Sequence, residues 1–323
     1  MICVGNLQEG YGLSKAFEMN CRVFESVTEI IRVPFDTKLM TPSHNIYLYG
    51  LPKQCLRFVQ QNQEICRSVR VICNLICETD TFDPRYKLLE PFISEIWTAS
   101  SFCAEVFRKV FNKPVFVVPH VIDHPTTQIE RTYTEPTKFL FMFDGGSRVL
   151  RKNPYGLITV FNQLEDNVQL KIKTKNLDPV YLEVLRNHIE RSNVQLIEGL
   201  ISESDLTELY NNCDCYISLH TGEGFGLTIL EAMSHGCATI STAWSGNMDF
   251  AEHNFNVDFD LIPVEDDYFL GNWAKPKISS AVEQVQRYCQ LSPEMKLDLA
   301  QKSIEVSKRF TFEQLTSIIT ALL

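Results

Sequence analysis

Short β-branched and aromatic runs alternate with helix-like stretches along almost all of this 323-residue chain. That alternation constrains the fold most, because a strand that returns through a helix pairs parallel to the strand before it, with helices covering the sheet. In the first part the predicted strands are Ile2–Val4, Glu29–Val33, Asn45–Tyr49, Val69–Ile76, Glu95–Thr98 and Val115–Val118, and helical patterns fall near 13–24, 52–62, 84–92 and 101–112. The pattern stops at HVIDHPTTQIERTYTEPT (120–137), where polar residues and prolines at 119, 125 and 136 read as an interdomain linker. It restarts with strands Phe139–Phe143, Val168–Ile172, Val194–Ile197, Cys215–Leu219 and Thr239–Ser241, separated by helices near 153–165, 179–191, 203–211 and 226–236. The expectation is an α/β protein of two Rossmann-like parallel-sheet domains facing a central cleft: residues 1–123, a linker at 124–137, and residues 138–310. A last helix, about 311–323 with Thr311 as its cap, is free to pack back on the first domain. The length agrees with two domains of roughly 150 residues each.

Composition narrows function by exclusion. Lys plus Arg total 30 against 40 Asp plus Glu, a net charge of −10. Binding to a phosphate backbone or to anionic lipid calls for a basic surplus, so nucleic acid is disfavoured as a partner. Hydrophobic residues at 45% and charged residues at 22% describe an ordinary globular chain. The 11 cysteines are odd in number, form no Cys-x-x-Cys, and lie partly in apolar runs such as VICNLIC (71–77). They read as small buried hydrophobes in a reducing compartment, with neither zinc spacing nor a disulfide framework. The N-terminus, MICVGNLQEGYG, has no basic segment leading into an apolar one, and no apolar run reaches about 18 residues. A cytoplasmic protein without a transmembrane segment is expected.

Chemistry concentrates in CYISLHTGEGFGLTILEAMSHGCATISTAWSGNMDF (215–250). An apolar strand runs into a turn with Gly222, Gly224 and Gly226 at alternate positions, and a helix opens at about Gly226. Free amides at a helix N-terminus, with the helix dipole behind them, make an anion site for which a phosphate is the natural occupant. The same glycines also suit a tight strand-to-helix turn with no ligand at all. Glu231 is the one carboxylate among Leu227, Ile229, Leu230, Ala232 and Met233, and burying it requires a partner such as a ribose hydroxyl. Thr228, Glu231 and His235 equally fit a solvated helical stripe. Upstream, Arg151 and Lys152 follow the Phe139–Phe143 strand and precede a helix opened by Asn153-Pro154, so they are either cations for a departing diphosphate or a surface patch.

Glu223 and Glu231, seven residues apart inside EGFGLTILEAMSHG, resemble the Glu-x7-Glu signature of retaining glycosyltransferases of the two-domain GT-B type, family 4. DGGSRVLRKNP (144–154), EIWTASSF (95–102), VVPHVID (117–123), WSGNMDF (244–250) and WAKP (273–276) extend the similarity over about residues 90–276. The resemblance implies a metal-independent enzyme without a cofactor that moves a sugar from a nucleotide diphosphate donor to a hydroxyl of a glycan or other acceptor. It also implies that Glu231 binds ribose hydroxyls, that Glu223 contacts hydroxyls of the donor sugar, and that the amides of Gly224, Phe225, Gly226 and Leu227 meet sugar and phosphate. Lys152 and Arg151 would then face the diphosphate. Ser147 occupies a slot that relatives fill with Arg, while His220, Gly246 and Asn247 flank the donor region. Gly10 and Gly12, in QEGYGLSKAF, sit in a loop that borders donor and acceptor in the resembling fold. Glu78 stands where many relatives place an active-site His or acid. Asp258-x-Asp260 has the form of a metal motif, but it lies in a strand-like run and is set aside. Competing readings are a nucleotide-sugar epimerase, a sugar phosphorylase, or a catalytically silent sugar-nucleotide-binding subunit.

Overall fold

The structure is a computed structural model that describes residues 1–7, 12–41, 44–126, 130–251, 254–264 and 270–323. The first half builds a parallel sheet from β1 (Ile2–Gly5), β2 (Ile31–Val33), β3 (Ile46–Tyr49), β4 (Val71–Asn74), β5 (Glu95–Thr98) and β6 (Val115–Val117), in the order β2-β1-β3-β4-β5-β6. Its helices are α1 (Gly12–Glu25), α2 (Pro52–Gln61), α3 (Gln63–Ser68) and α4 (Ser101–Arg108). The second half repeats the plan with β7 (Thr137–Asp144), β8 (Val168–Lys175), β9 (Val194–Glu198), β10 (Cys215–Ser218), β11 (Ala238–Thr242) and β12 (Phe255–Val257), in the order β12-β11-β10-β7-β8-β9. Helices α5 (Val149–Lys152), α6 (Pro154–Asn162), α7 (Pro179–His188), α8 (Glu203–Asn211), α9 (Leu227–Ser234), α10 (Ile278–Cys289) and α11 (Pro293–Ser307) surround it. The expected α/β architecture with two six-stranded parallel sheets is present.

The strands alternate between two buried faces, which is why they read as nearly continuous apolar runs. In the first sheet Ile2, Val4, Ile46, Leu48, Val71 and Cys73 pack against Cys55, Phe58, Val59 and Phe107 on one side. Cys3, Tyr47, Tyr49, Ile72 and Trp97 face the other way, onto Phe17 and Phe24 of α1. That second layer is completed from the far end of the chain by α12 (Phe312–Leu322), through Leu315 and Ile319. Arg70 ties the same helix down by donating to the carbonyl of Leu322 at 2.6 Å and to Glu95 at 2.8 Å. In the second sheet Phe139, Phe141, Leu170, Ile172 and Ile217 pack on α6 and α10, while Leu140, Met142 and Tyr216 face α8 and α9.

Several elements differ from the sequence reading. Pro84–Phe92 is a 3-10 segment, and Pro91 inside it has no N–H to donate to an α-helical ladder. Helices α3, α5, α10 and α11 and strand β14 (Asn272–Pro276) have no counterpart in the reading, and the strand-like run at 256–264 resolves into the end of β12 and β13 (Phe259–Pro263), which forms an antiparallel hairpin with β14. The segment read as a linker is anchored: the Arg131 guanidinium donates to the carbonyls of Tyr210, Cys213 and His235. Asp260 lies on β13 and pairs with Lys277 at 3.2 Å.

Because Leu315 is 1% exposed and plugs the α1 layer, Leu315→Ala is expected to destabilise the protein by about 2–5 kcal/mol. Urea unfolding of the two proteins measures it. A loss below about 1 kcal/mol would mean that α12 does not belong to the first sheet's core.

Candidate active site at the cleft between the sheets

In the second sheet the winding reverses between β10 and β7, and in an open parallel sheet a crevice opens outside the carboxyl ends of the strands at that point. The segments leaving those two strands meet there. After β7, Asp144 accepts from the Gly146 amide at 2.9 Å, and the chain passes through Ser147 into α5. Asn153 adopts a left-handed conformation, caps α6 by accepting from Gly156, and donates to the carbonyl of Leu219 at 2.8 Å. That bond fastens the β7 exit to the β10 exit.

The turn after β10 is held on every side. The Glu223 amide donates to Ser245 Oγ at 2.9 Å, and its carbonyl accepts from the Gly246 amide at 2.9 Å. A Cβ on Gly224 would stand 2.0 Å from Ile76 Cγ2, and one on Gly222 would stand 2.2 Å from the Glu78 carbonyl. Ser100 Oγ donates to the Gly224 carbonyl at 2.7 Å. The glycines at 222 and 224 therefore meet an immediate need of the fold, admitting the backbone and side chains of the first half. Gly226, at φ 97°, opens α9 in a conformation that disfavours side chains.

Arg151 is 3% exposed. Its guanidinium donates to the carbonyls of Gly222 (2.7 Å) and Ser147 (3.1 Å), and faces Glu78 at 3.0 Å and Glu223 at 3.4 Å. Lys152 donates to the other oxygen of Glu223. Burial alone would raise the Glu223 pKa, but Lys152 and Arg151 outweigh it and hold the carboxyl down at about 2. Glu78 is shifted up by burial, against the pull of Arg151. Lys152 is shifted down by burial and by its neighbour Arg151, with Glu223 opposing. Glu231 accepts from Lys15 of α1 at 2.8 Å and from the Tyr210 hydroxyl at 2.9 Å, so its partners come from both halves of the chain.

These groups line a cavity of about 400 Å³. It brings together Glu78, Ser147, Arg151, Lys152, Glu223, Gly224, Phe225, Gly226, Leu227 and Glu231. The solvated-stripe alternative does not hold, since Thr228, Glu231 and His235 are all at least partly buried. Three assigned residues stand behind the turn, away from the cavity wall. His220 is fully buried with its ring nitrogens against Ser218 and Asn247, both at 3.1 Å. Asn247 also donates to the Thr242 carbonyl at 3.1 Å, and Gly246 holds the Glu223 backbone. They support the loop and are not among the cavity-lining residues. Gly12 opens α1, while Gly10 lies outside the described residues.

The sequence reading missed Lys15, Tyr49, His120, Tyr210, Lys173 and Lys175, all of which line the cavity. One carried a signal: Lys15 lies in the glycine-rich QEGYGLSKAF already singled out, whereas Lys173 is the middle of three alternating lysines in β8, at 171, 173 and 175, and nothing in the sequence sets it apart. His120 is bonded to the Tyr49 hydroxyl at 3.1 Å and lies edge-on to Phe225, with ring centroids 5.2 Å apart.

A sequence description of glycosyl transferases group 1 matches residues 126–293, more than half of the chain. The chain belongs to the glycosyl transferases group 1 family. Within curated glycosyltransferases, it is 30% identical over 122 residues to the GtfA subunit of the UDP-N-acetylglucosamine–peptide N-acetylglucosaminyltransferase of Streptococcus pneumoniae, covering 38% of this chain and 22% of GtfA. It is 31% identical over 132 residues to the serotype-specific mannosyltransferase WbdA of Escherichia coli, covering 38% of this chain and 16% of WbdA. The chain thus spans about a fifth of the length of these relatives. Among solved structures, Anabaena HepE in complex with UDP-glucose superposes with a TM-score of 0.74 at 13% identity, over 99% of this chain and 98% of that one. The lipopolysaccharide outer core galactosyltransferase WaaB superposes with 0.71 at 14% identity, over 100% and 99%. At such identities the likeness is one of fold, the GT-B arrangement of two facing sheets. Among the described residues, no helix is long and apolar enough to cross a membrane.

Burial holds the His120 pKa down at about 4, against an ordinary 6.5. The unfolded chain takes up a proton as the pH falls through 6.5 that the folded chain refuses until about 4, so stability present above 6.5 is lost across that window. His120→Gln is expected to flatten this part of the stability profile. Melting temperatures of both proteins across the window check it, and parallel curves would contradict it.

Proposed function

We propose that the protein is a retaining, metal-independent glycosyltransferase that moves a sugar from a nucleotide diphosphate sugar to a hydroxyl of a glycan or other acceptor. The observation that carries this reading is the convergence of Glu223, Lys152, the N-terminus of α9 and Glu231 on one cavity at the strand switch point. The named activities of GtfA and WbdA and the UDP-glucose bound to HepE support it.

In this reading the diphosphate lies against the α9 N-terminus, where the amides from Gly224 to Leu227 and the ammonium of Lys152 take up its charge. Lys152 turns from Glu223 to the phosphate, and Glu223 turns to the hydroxyls of the sugar, where a carboxylate accepts charge-assisted hydrogen bonds. Arg151, with Glu78, Glu223 and two carbonyls around it, acts as the strut that keeps Glu223 in place. Glu231 binds the ribose hydroxyls with Tyr210 fixing its second oxygen, and Lys15, 45% exposed, is the partner that yields. The first half of the chain offers the acceptor surface, with Glu78 orienting the hydroxyl.

The bond from the anomeric carbon to the phosphate oxygen breaks while the bond to the acceptor oxygen forms on the same face. The acceptor proton passes to the departing phosphate, so no charge is left stranded. Glu223 is committed to hydroxyls, and Glu78 is engaged by Arg151, which leaves the phosphate as the base best placed for that proton.

Glu231→Ala is expected to weaken nucleotide binding by about 1–3 kcal/mol, because charged hydrogen bonds to the ribose are lost. Lys152→Ala is expected to lower kcat more than it raises KM, since its contact strengthens as the diphosphate leaves. Calorimetry and steady-state kinetics separate the two. Unchanged affinity in the first variant, or a change confined to KM in the second, would remove that residue's assignment.

An α-linked donor is expected to give an α-linked product. Proton NMR of the anomeric coupling at early times reads this directly, and a β-linked product would overturn the same-face mechanism.

A further inference from the structure

Almost every cation on the cavity wall has a carboxylate opposite it. Lys15 faces Glu231, Arg151 faces Glu78 and Glu223, Lys152 faces Glu223, and Lys175 faces Asp144 at 3.8 Å. Among the described cavity cations Lys173 alone has no carboxylate within ion-pair distance. It is 7% exposed, and its one partner is the Gly199 carbonyl, to which Nζ donates at 2.8 Å. An ammonium has three N–H donors, and one kept from water is costly unless they find acceptors. Burial, with Lys175 nearby, pushes its pKa down. The side chain has donors to spare at the edge of a cavity.

Its surroundings indicate which acceptor fits. Lys173 sits toward the carboxyl end of β8, in register with Met142 of β7 and Ile197 of β9. The same cavity offers the apolar side chains of Met142, Ile201 and Leu206 beside the carboxylates of Asp144 and Glu203. Those carboxylates would repel a second phosphate. An uncharged flat ring meets no such repulsion and can lie on the apolar side chains, provided it carries an oxygen for the ammonium. The α9 N-terminus lies on the β10 side of the switch point, and Lys173 lies on the other side, over β8. Tyr210, from the helix that joins β9 to β10, reaches Glu231 from that direction. With ribose on Glu231 and the diphosphate at α9, the nucleobase is the part of the donor left to enter the Lys173 compartment.

We propose that Lys173 reads the nucleobase of the donor and selects a base with an exocyclic carbonyl oxygen, uracil O4 or guanine O6, over one with an amino group there. This rests on the nucleotide-sugar reading above. An amino group set against the buried ammonium would leave donors facing donors, and unmatched polar groups discriminate strongly.

The test is the calorimetric affinity of UDP, GDP, CDP and ADP for the wild type, Lys173→Met and Glu231→Ala. The wild type is expected to bind UDP or GDP at least about tenfold more tightly than CDP and ADP. Lys173→Met, which keeps length and apolar packing, is expected to remove that preference while leaving CDP and ADP within about twofold. Lys173→Gln, whose amide both donates and accepts, is expected to bind CDP better than the wild type does. The proposal is overturned if CDP or ADP equals the better of UDP and GDP in the wild type, or if Lys173→Met weakens all four alike, as loss of mere support for the Gly199 loop would. If Lys173→Met does not fold, the wild-type ranking and Lys173→Gln decide. Binding of all four without preference, lost in Glu231→Ala, removes only the role of Lys173. Binding of none removes the nucleotide-sugar reading and this inference with it.

Discussion

The guanidinium of Arg151 is the interaction on which the cleft depends. A charge at this depth persists only when its field and most of its hydrogens are matched, and here two carbonyls and two carboxylates from three segments surround the terminal N–H groups, while the Nε–H has no hydrogen-bond partner. Gly222 and Glu223 come from the turn after β10, Ser147 from the exit of β7, and Glu78 from the other half of the molecule. Removing the cation would leave Glu78 without its countercharge and Glu223 with Lys152 alone, and breaking comparable buried pairs costs about 3–5 kcal/mol. Lys152 and Arg151 together hold the Glu223 pKa down, and Arg151 joins Glu78 of the first half to the turn after β10.

The two halves meet along narrow, specific contacts. Gly224 offers its carbonyl to Ser100 and room to Ile76, and Asp80 accepts from both the backbone and side-chain N–H groups of Asn272 at 2.8 Å. Phe102 lies edge-on to Trp244 with centroids 4.9 Å apart. Lys15 reaches Glu231 from α1 across the cavity itself. An apolar contact also joins the two halves, in which Ile76, Ala99 and Ile122 of the first half pack with Phe225, Leu230, Phe250 and Phe310. A donor that takes Glu231 from Lys15 changes a contact between the halves, which links occupancy of the cavity to their approach.

Much of the fold was legible because it depends on local pattern. Strands such as Glu95–Thr98 and helices such as Glu203–Asn211 are bounded where composition changes, and the structure ends them at the same residues. Pro84–Phe92 misled because helical spacing of apolar residues takes no account of Pro91, which cannot donate to an α-helical ladder. The cavity residues read from sequence were those inside one continuous motif, Glu223 to Glu231, the basic pair with Ser147 just before it, and Glu78. Lys15, Tyr210, His120 and Lys173 escaped because each reaches the cavity from a separate element.

The sequence by itself determined that there are two parallel sheets and that a carboxylate-bearing turn opens a helix in the second of them, since periodicity, glycine and proline act within a few residues of themselves. Only the tertiary structure decided what the charges do. Arg151 could be a solvated cation or a buried strut, and Glu231 a surface stripe or a cavity wall, until the folding of distant segments set Glu78 against one and Lys15 and Tyr210 against the other. The energy of a charge depends on how far it is from water and from its countercharge, and those distances exist only after the chain has folded.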